Sequence, residues 1–407
     1  MLRYELKKIF SRASGKVTLL ILLIGLVGIC YSAMLQVSYT DENGVSHVGP
    51  QAARELRDAK NEWAGFIDQN LLTRAIERDH EITSSDNYNS DDIARQNMAY
   101  HDTQGYATLR NLVAQTYGGF NDYNYYLIGT ITPDEAGELY ARRITNLEEW
   151  LARPDINFSP AEEDFLVNHY KAMPTPLYYE YNDGWETILY YAPTLVLVFL
   201  YLCIFLVSGI FPCEHRWKSD AIFFSTVRGR HKAIRSKIAA GLITVSVLYW
   251  LAIAIYTVVL LALLGTGGAD GAYQLLQWKA FYNLTIGQAY LLTIFGGYVG
   301  VLFLSLLSMF ISALTHSQVV GVIVPYVIVL AANFAASLLS NWEVLPQILG
   351  LLPDQLLLMS QVLDDFNLYN IFGHITGAVP VLFVLYSVLS LLLIPLIYHT
   401  YRKCQIR

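Results

Sequence analysis

Six long stretches of this chain contain no Asp, Glu, Lys or Arg: residues 17–36, 187–211, 238–264, 287–314, 318–339 and 376–398. All 27 Lys and Arg and all 34 Asp and Glu fall between them. A helix needs roughly 20 apolar residues to cross a hydrocarbon core of about 30 Å, so these gaps argue against a soluble globular fold. Cysteine is scarce as well. Cys30, Cys203 and Cys213 lie in or beside the uncharged stretches and Cys404 follows the last one, which leaves residues 37–186 without any. That segment is not held by disulfides.

Catalytic and nucleotide-binding signatures are also missing. No G-x-x-x-x-G-K-[ST] loop occurs, because Gly15-Lys16 lacks the upstream Gly and precedes a membrane stretch. H-E-x-x-H and G-x-S-x-G are absent. His80, His101 and His169 lack metal-ligand spacing, and Ser208-Gly209 and Ser305 suit close helix packing better than hydrolysis. Neither an enzyme nor a bound metal or cofactor is expected in this chain. Its net charge of −7 averages a basic side and an acidic side, and no nucleic-acid partner is expected.

What is present is an all-α polytopic membrane protein with six transmembrane helices. Arg3, Lys7, Lys8, Arg12 and Lys16 crowd the N-terminal segment against Glu5 alone. Arg216, Lys218, Arg228, Arg230, Lys232, Arg235 and Lys237 crowd 212–237 against Glu214 and Asp220, and Arg402, Lys403 and Arg407 close the tail. The intervening segments are neutral or acidic, so the positive-inside rule places both termini in the cytoplasm. The run 287–339 is more than twice one span and is expected to fold back at Thr315-His316-Ser317. The expected order is a cytoplasmic amphipathic helix (1–16), TM1 (17–36), an extracytoplasmic domain (37–186), TM2 (187–211), a cytoplasmic loop (212–237), TM3 (238–264), TM4 (287–314), TM5 (318–339), an extracytoplasmic segment (340–375), TM6 (376–398) and a cytoplasmic tail (399–407). The first span reads as a signal anchor, since its run is longer than a typical h-region and no small-x-small cleavage site follows. A multi-pass protein of a bacterial plasma membrane is expected.

Residues 37–186 are one domain's worth of chain. Leu56, Trp63, Ile67, Leu71 and Ile76, and further on Leu139, Ile144, Leu147 and Leu151, recur at helical spacing. Pro133-Asp134-Glu135 and Ser159-Pro160 look like helix starts. A mainly α-helical domain able to fold alone is expected. The tyrosine-rich stretch 117–126 reads as core packing or a contact surface, and 178–191 as an interfacial aromatic belt or a lining for an amphipathic substrate.

The segment 214–237 carries the most specific signal. Trp217, Ala221 and Phe224 lie at helical spacing, with Arg216, Lys218 and Asp220 on the other sides. Such a helix lies on anionic lipid or docks a partner. Glu214 at its start, the small-residue-plus-Arg step Gly229-Arg230 and Lys237 at the opening of TM3 come in the order and approximate spacing of the loop after the second span of ABC-2-type exporter permeases, which this segment resembles. The broken apolar stretch 342–373, with Pro346 and Pro353, is similar to the short helices that dip into the outer leaflet in that family. Two departures are Val227-Arg228, where the family often has Pro before the Arg step, and an outer segment much longer than usual. The resemblance implies the permease subunit of an ATP-driven exporter. Glu214, Arg216, Trp217, Lys218, Phe224 and Arg230 would couple it to separate ABC ATPase subunits, which bind ATP and Mg. A second permease, identical or related, would complete the pathway within membrane lipid, for a drug, an antimicrobial peptide or an ion. The alternative is a non-transporting membrane sensor or immunity protein whose outer domain binds a peptide.

Overall fold

The computed structural model describes residues 1–217, 225, 229–338 and 345–403, with side chains described throughout except at 215, 229, 230, 332–338, 345 and 346. Helices α1 (Leu2–Ser11) and α2 (Ala13–Met34) open the chain. A module of six shorter helices follows: α3 (Pro50–Asn61), α4 (Gln69–Thr83), α5 (Ile93–Thr103), α6 (Ala107–Tyr117), α7 (Leu139–Leu151) and α8 (Pro160–Lys171). Then come α9 (Asp183–Ser208), the single turn α10 (Cys213–Arg216), α11 (Ile234–Leu264), α12 (Ile286–Thr315) and α13 (Gln318–Leu338). The short helices α14 (Leu345–Leu349), α15 (Asp354–Leu357) and α16 (Met359–Asp364) precede α17 (Ala378–Arg402).

Among the described residues, five helices are long and apolar enough to cross a membrane: α2, α9, α11 with the turn before it, α12 and α17. The chain is thus mostly helical, as an all-α polytopic membrane protein is. In α2, Val17, Leu20, Ile24 and Val27 are exposed, the arrangement of a helix solvated by hydrocarbon rather than water. α12 occupies the middle of the bundle, packed on α9, α11, α13 and α17. Its Gly297 and Gly300 permit this: an added Cβ would stand 2.8 Å from Val196 on α9 and 2.9 Å from Leu357 on α15. α12 stops at Thr315, His316 takes a left-handed φ of 53°, and α13 restarts at Gln318, so the uncharged run is broken there into two helices that pack on each other.

The polar module covers the opposite end of the bundle from α1. The run at helical spacing from Leu56 to Ile76 is split between α3 and α4: Gly65 adopts φ 159°, and Asp68 caps α4 by accepting from the Leu71 amide. Between the two helices, β3 (Gly65–Phe66) pairs antiparallel with β4 (Tyr178–Tyr179). Another hairpin joins β1 (Ser38–Thr40) to β2 (Ser46–Val48), with Tyr39 opposite His47. Capping boxes at Thr132/Glu135 and Ser159/Glu162 sit where the sequence signals helix starts, although Pro133 opens a 3₁₀ turn before α7.

The core of the module does not end with residue 186. Ile67, Leu72, Ile76, Tyr106, Leu109 and Leu112 pack with Leu275 and Trp278 from the α11–α12 connection. A smaller cluster joins Leu147, Leu166 and Tyr170 to Phe281 and Leu368. The last connection carries the short helices of 340–375 and a hairpin, β5 (Leu368–Ile371) with β6 (His374–Gly377). Residues 339–344, part of the expected dipping segment and of TM5, lie outside the described residues.

Candidate functional site

Glu5 is the sole acid before Asp41, and it points into the protein. α1 is amphipathic: Glu5 and Ile9 are buried and Leu2, Leu6 and Phe10 pack alongside, leaving Arg3, Lys7 and Ser11 to solvent. Glu5 and Lys8 are one turn apart on this face, 3.1 Å between Oε1 and Nζ. α10 brings Glu214 to them, and α11 brings Lys237.

The four side chains form one lattice. Lys8 Nζ lies 3.0 Å from Glu214 Oε1; Lys237 Nζ lies 2.8 Å from the same oxygen and 3.3 Å from Glu5 Oε2. Just beyond the end of α9, Lys237 also donates at 3.0 Å to the Ile210 carbonyl, which accepts from the Cys213 thiol as well. Cys213 Sγ stands 3.4 Å from the same ammonium. Lys237 is fully buried and Glu214 and Glu5 are 5% and 8% exposed. Charges this deep persist only when paired and hydrogen-bonded, and here two carboxylates meet two ammoniums. Burial by itself would push the Glu214 carboxyl up, but Lys237 and Lys8 outweigh it and hold it down to about 2.

Around this lattice the residues expected to couple to a partner divide. Glu214 is inside it. Trp217 is half-exposed, with the Arg12 guanidinium 4.7 Å and Lys8 Nζ 6.0 Å from its ring. Arg216 is exposed. Lys218, Phe224 and the Arg230 side chain lie outside the described residues. The chain returns through a π-helical turn, Gly229–Ala233, into α11, where His231 Nδ1 lies 2.7 Å from Tyr398 Oη on α17. Tyr401 on the same helix donates to the Phe211 carbonyl at 2.9 Å. The lattice therefore ties α1, the α9–α10 turn and α11 together, with α17 pinned beside it. Sequence reasoning picked out Glu214 and Lys237 and did not pick out Glu5 or Lys8; the lone acid in a basic segment was the available signal.

At the far end the module is clamped to the bundle. Lys60 Nζ contacts both Asp183 oxygens, at 2.8 and 2.7 Å. Burial works against the Lys60 charge, yet Asp183 holds its pKa above the ordinary lysine value. Tyr181, 1% exposed, donates to the Leu264 carbonyl at 2.8 Å, and Tyr179 to the Gly105 carbonyl at 2.9 Å. Half of the second tyrosine-rich stretch is thus a buried joint, whereas Tyr178 and Tyr190 face outward. The first stretch also divides: Tyr117 bonds the Glu135 carbonyl, Tyr125 lies under Arg110 with 4.0 Å from guanidinium to ring, and Tyr126 is exposed.

Glu186 and Tyr190 stand between two cavities of about 410 and 450 Å³. The first is lined also by Lys60 and Asn111, and the second by Tyr273 and Asp364. Burial raises the Asp364 carboxyl to about 7 even though Tyr273 donates to it at 2.7 Å. Among the described residues no group of three or more His, Cys, Asp or Glu could hold a metal ion. Comparisons of the chain with family models, with curated proteins and with solved structures find no match.

Proposed function

We propose that this chain is the membrane-embedded permease subunit of an ATP-driven exporter, with six spans and both termini in the cytoplasm. The observation that carries the reading is the buried lattice of Glu5, Lys8, Glu214 and Lys237. A transport subunit without a nucleotide site must receive movement from a partner at one place and deliver it to its spans. The lattice has that form. Force applied at α1 or at the Trp217 side of α10 passes through ion pairs, with no flexible linker between, to the end of α9 and the start of α11. Because the two carboxylates share two ammoniums, α1 cannot shift relative to α10 without unpairing a buried charge, which costs roughly 3 to 5 kcal/mol. Separate ATPase subunits, binding ATP and Mg, would supply the force by docking on the exposed residues here, Arg216 and Trp217, and on 218–230. A second copy or a related chain would form the other wall of the pathway. The cavities flanking Tyr190 would receive the passenger near its exit.

The test is co-purification of an ATPase with the tagged chain from its native membrane, followed by ATP hydrolysis in lipid. Wild type is expected to retain the ATPase. Trp217→Ala should weaken that contact by roughly 1 to 4 kcal/mol, as truncation of an exposed aromatic anchor does, whereas Glu5→Gln should leave docking intact and uncouple hydrolysis from transport. Absence of any ATPase, under conditions that keep other membrane complexes together, would overturn the exporter reading in favour of a sensor.

A further inference from the structure

The end of the bundle that carries α1 holds a cavity of about 400 Å³ whose lining includes Arg12, Pro212, Arg216, His316, Ser317 and Gln318. Among the described residues its charge is not balanced. Glu5 and Glu214, the carboxylates of the flanking α1 and α10, are already matched by Lys8 and Lys237. Arg12 and Arg216 have no carboxylate partner among the described residues, and Arg12 Nε is buried with no hydrogen-bond partner among them. Two helices also start at this rim. α2 begins after Arg12 with no side chain capping its first amides. At the start of α13 Ser317 Oγ accepts from the Val320 amide at 3.4 Å. α1, α9 and α12 end at the same rim, at Arg12, Gly209 and His316, so the helix dipoles offset one another and the positive charge of the opening comes from the two guanidiniums.

Two guanidiniums on one opening, one with an unsatisfied buried donor, are a receptor for a phosphate-type oxyanion. The surroundings decide between a dissolved anion and a lipid. Val319, 64% exposed, is on the cavity wall. Ile323 one turn along α13, and Val17, Leu20 and Ile21 along α2, continue the exposed apolar surface away from it. Trp217, held by Arg12, is an amphipathic ring of the kind found at headgroup depth. A phosphate on a diacylglycerol would fill both halves of this site, and a free phosphate only one.

We propose that this cavity binds the headgroup of an anionic phospholipid, with Arg12 and Arg216 on the phosphate and the acyl chains along α2 and α13. Occupation would add negative charge beside the lattice and hold α1 against the bundle. The inference does not depend on the exporter reading, since it requires only that the helices stand in a membrane.

The experiment uses the purified full-length chain in neutral detergent, with added dioleoyl phosphatidylglycerol, dioleoyl phosphatidylcholine, sodium phosphate or glycerol 3-phosphate. Lipid retained by the protein is counted by native mass spectrometry and the unfolding midpoint is recorded. Phosphatidylglycerol is expected to be retained and to raise the midpoint, and phosphatidylcholine to do neither. Arg12→Gln with Arg216→Gln should bind it about tenfold more weakly, as expected for lost charge-assisted contacts. Arg142→Gln, on the exposed surface of the module, should behave as wild type. Arg12→Lys with Arg216→Lys keeps the charges but not the bidentate fork; it should fall between, and shows that weaker binding is not misfolding. Equal retention of the two lipids, equal binding by the Gln double variant, or the same midpoint rise from phosphate or glycerol 3-phosphate would each overturn the proposal.

Discussion

Lys237 shows how little freedom the lattice leaves to a single residue. Its ammonium has two carboxylates and a carbonyl within 3.3 Å and no contact with water. Lys237→Met strands Glu214 and Glu5 with one ammonium between them and should cost roughly 3 to 5 kcal/mol of stability. Glu214→Met combined with Lys237→Met removes charge in equal and opposite amounts and should cost clearly less than the sum of the single changes, a coupling visible in a double-mutant cycle of unfolding midpoints. The lattice also has a pH window. The Glu214 carboxyl lies lower in the folded chain than its ordinary 4.5, so its stabilisation is complete above that value. It is lost as pH falls toward about 2, by on the order of 3 kcal/mol. Lys8 moves the other way: burial disfavours its charge, but Glu214 and Glu5 raise its pKa above 10.5, so its share fades only as pH rises beyond that. An acid ramp of the midpoint should show the first loss in wild type and a much smaller one in Glu214→Gln.

At the scale of elements, the uncharged stretches marked where the long helices would be, but not where they begin. α9 starts at Asp183, four residues before the apolar run, and α2 at Ala13, so that Glu186 and Lys16 fall inside helices. A charge near a span's end is not excluded by the bilayer, because it reaches the interface. The hairpin of β5 and β6 was not legible either, as its four-residue strands turn on Phe372 and Gly373, both at positive φ. The larger gap concerns the module. Helical spacing identified Ile67, Leu71, Ile76 and Leu139, which are buried, but spacing cannot show that Leu275 and Trp278 complete their core from beyond α11. Trp278 is 4% exposed and its carbonyl accepts from Arg143 at 2.9 Å. Trp278→Ala should therefore cost about 3 to 5 kcal/mol. Residues 37–186 expressed alone should be helical yet unfold with low cooperativity, which far-UV melting would reveal; a sharp transition matching the intact chain would contradict this.

For the whole molecule, the charge distribution predicts an orientation that labelling can check. A cysteine at Asn87 should react with a membrane-impermeant thiol reagent in intact cells and one at Ser11 only after permeabilisation; the reverse pattern would invert the protein. The candidate site was half legible at this scale. Glu214 and Lys237 bracket one loop, whereas Glu5 and Lys8 reach them across more than two hundred residues, a separation at which local pattern carries no information. The clamp at the other end has a mechanical consequence. Lys60 on Asp183, Tyr181 on Leu264, and Arg143 on the Trp278 and Ala280 carbonyls join the module to α9, to the end of α11 and to the α11–α12 connection, which Tyr273 joins in turn to Asp364 of the last connection. The module is a lever arm rather than a tethered cap. A tilt of α9 carried through these bonds would reach the module's far edge as a displacement scaled by its distance from α9.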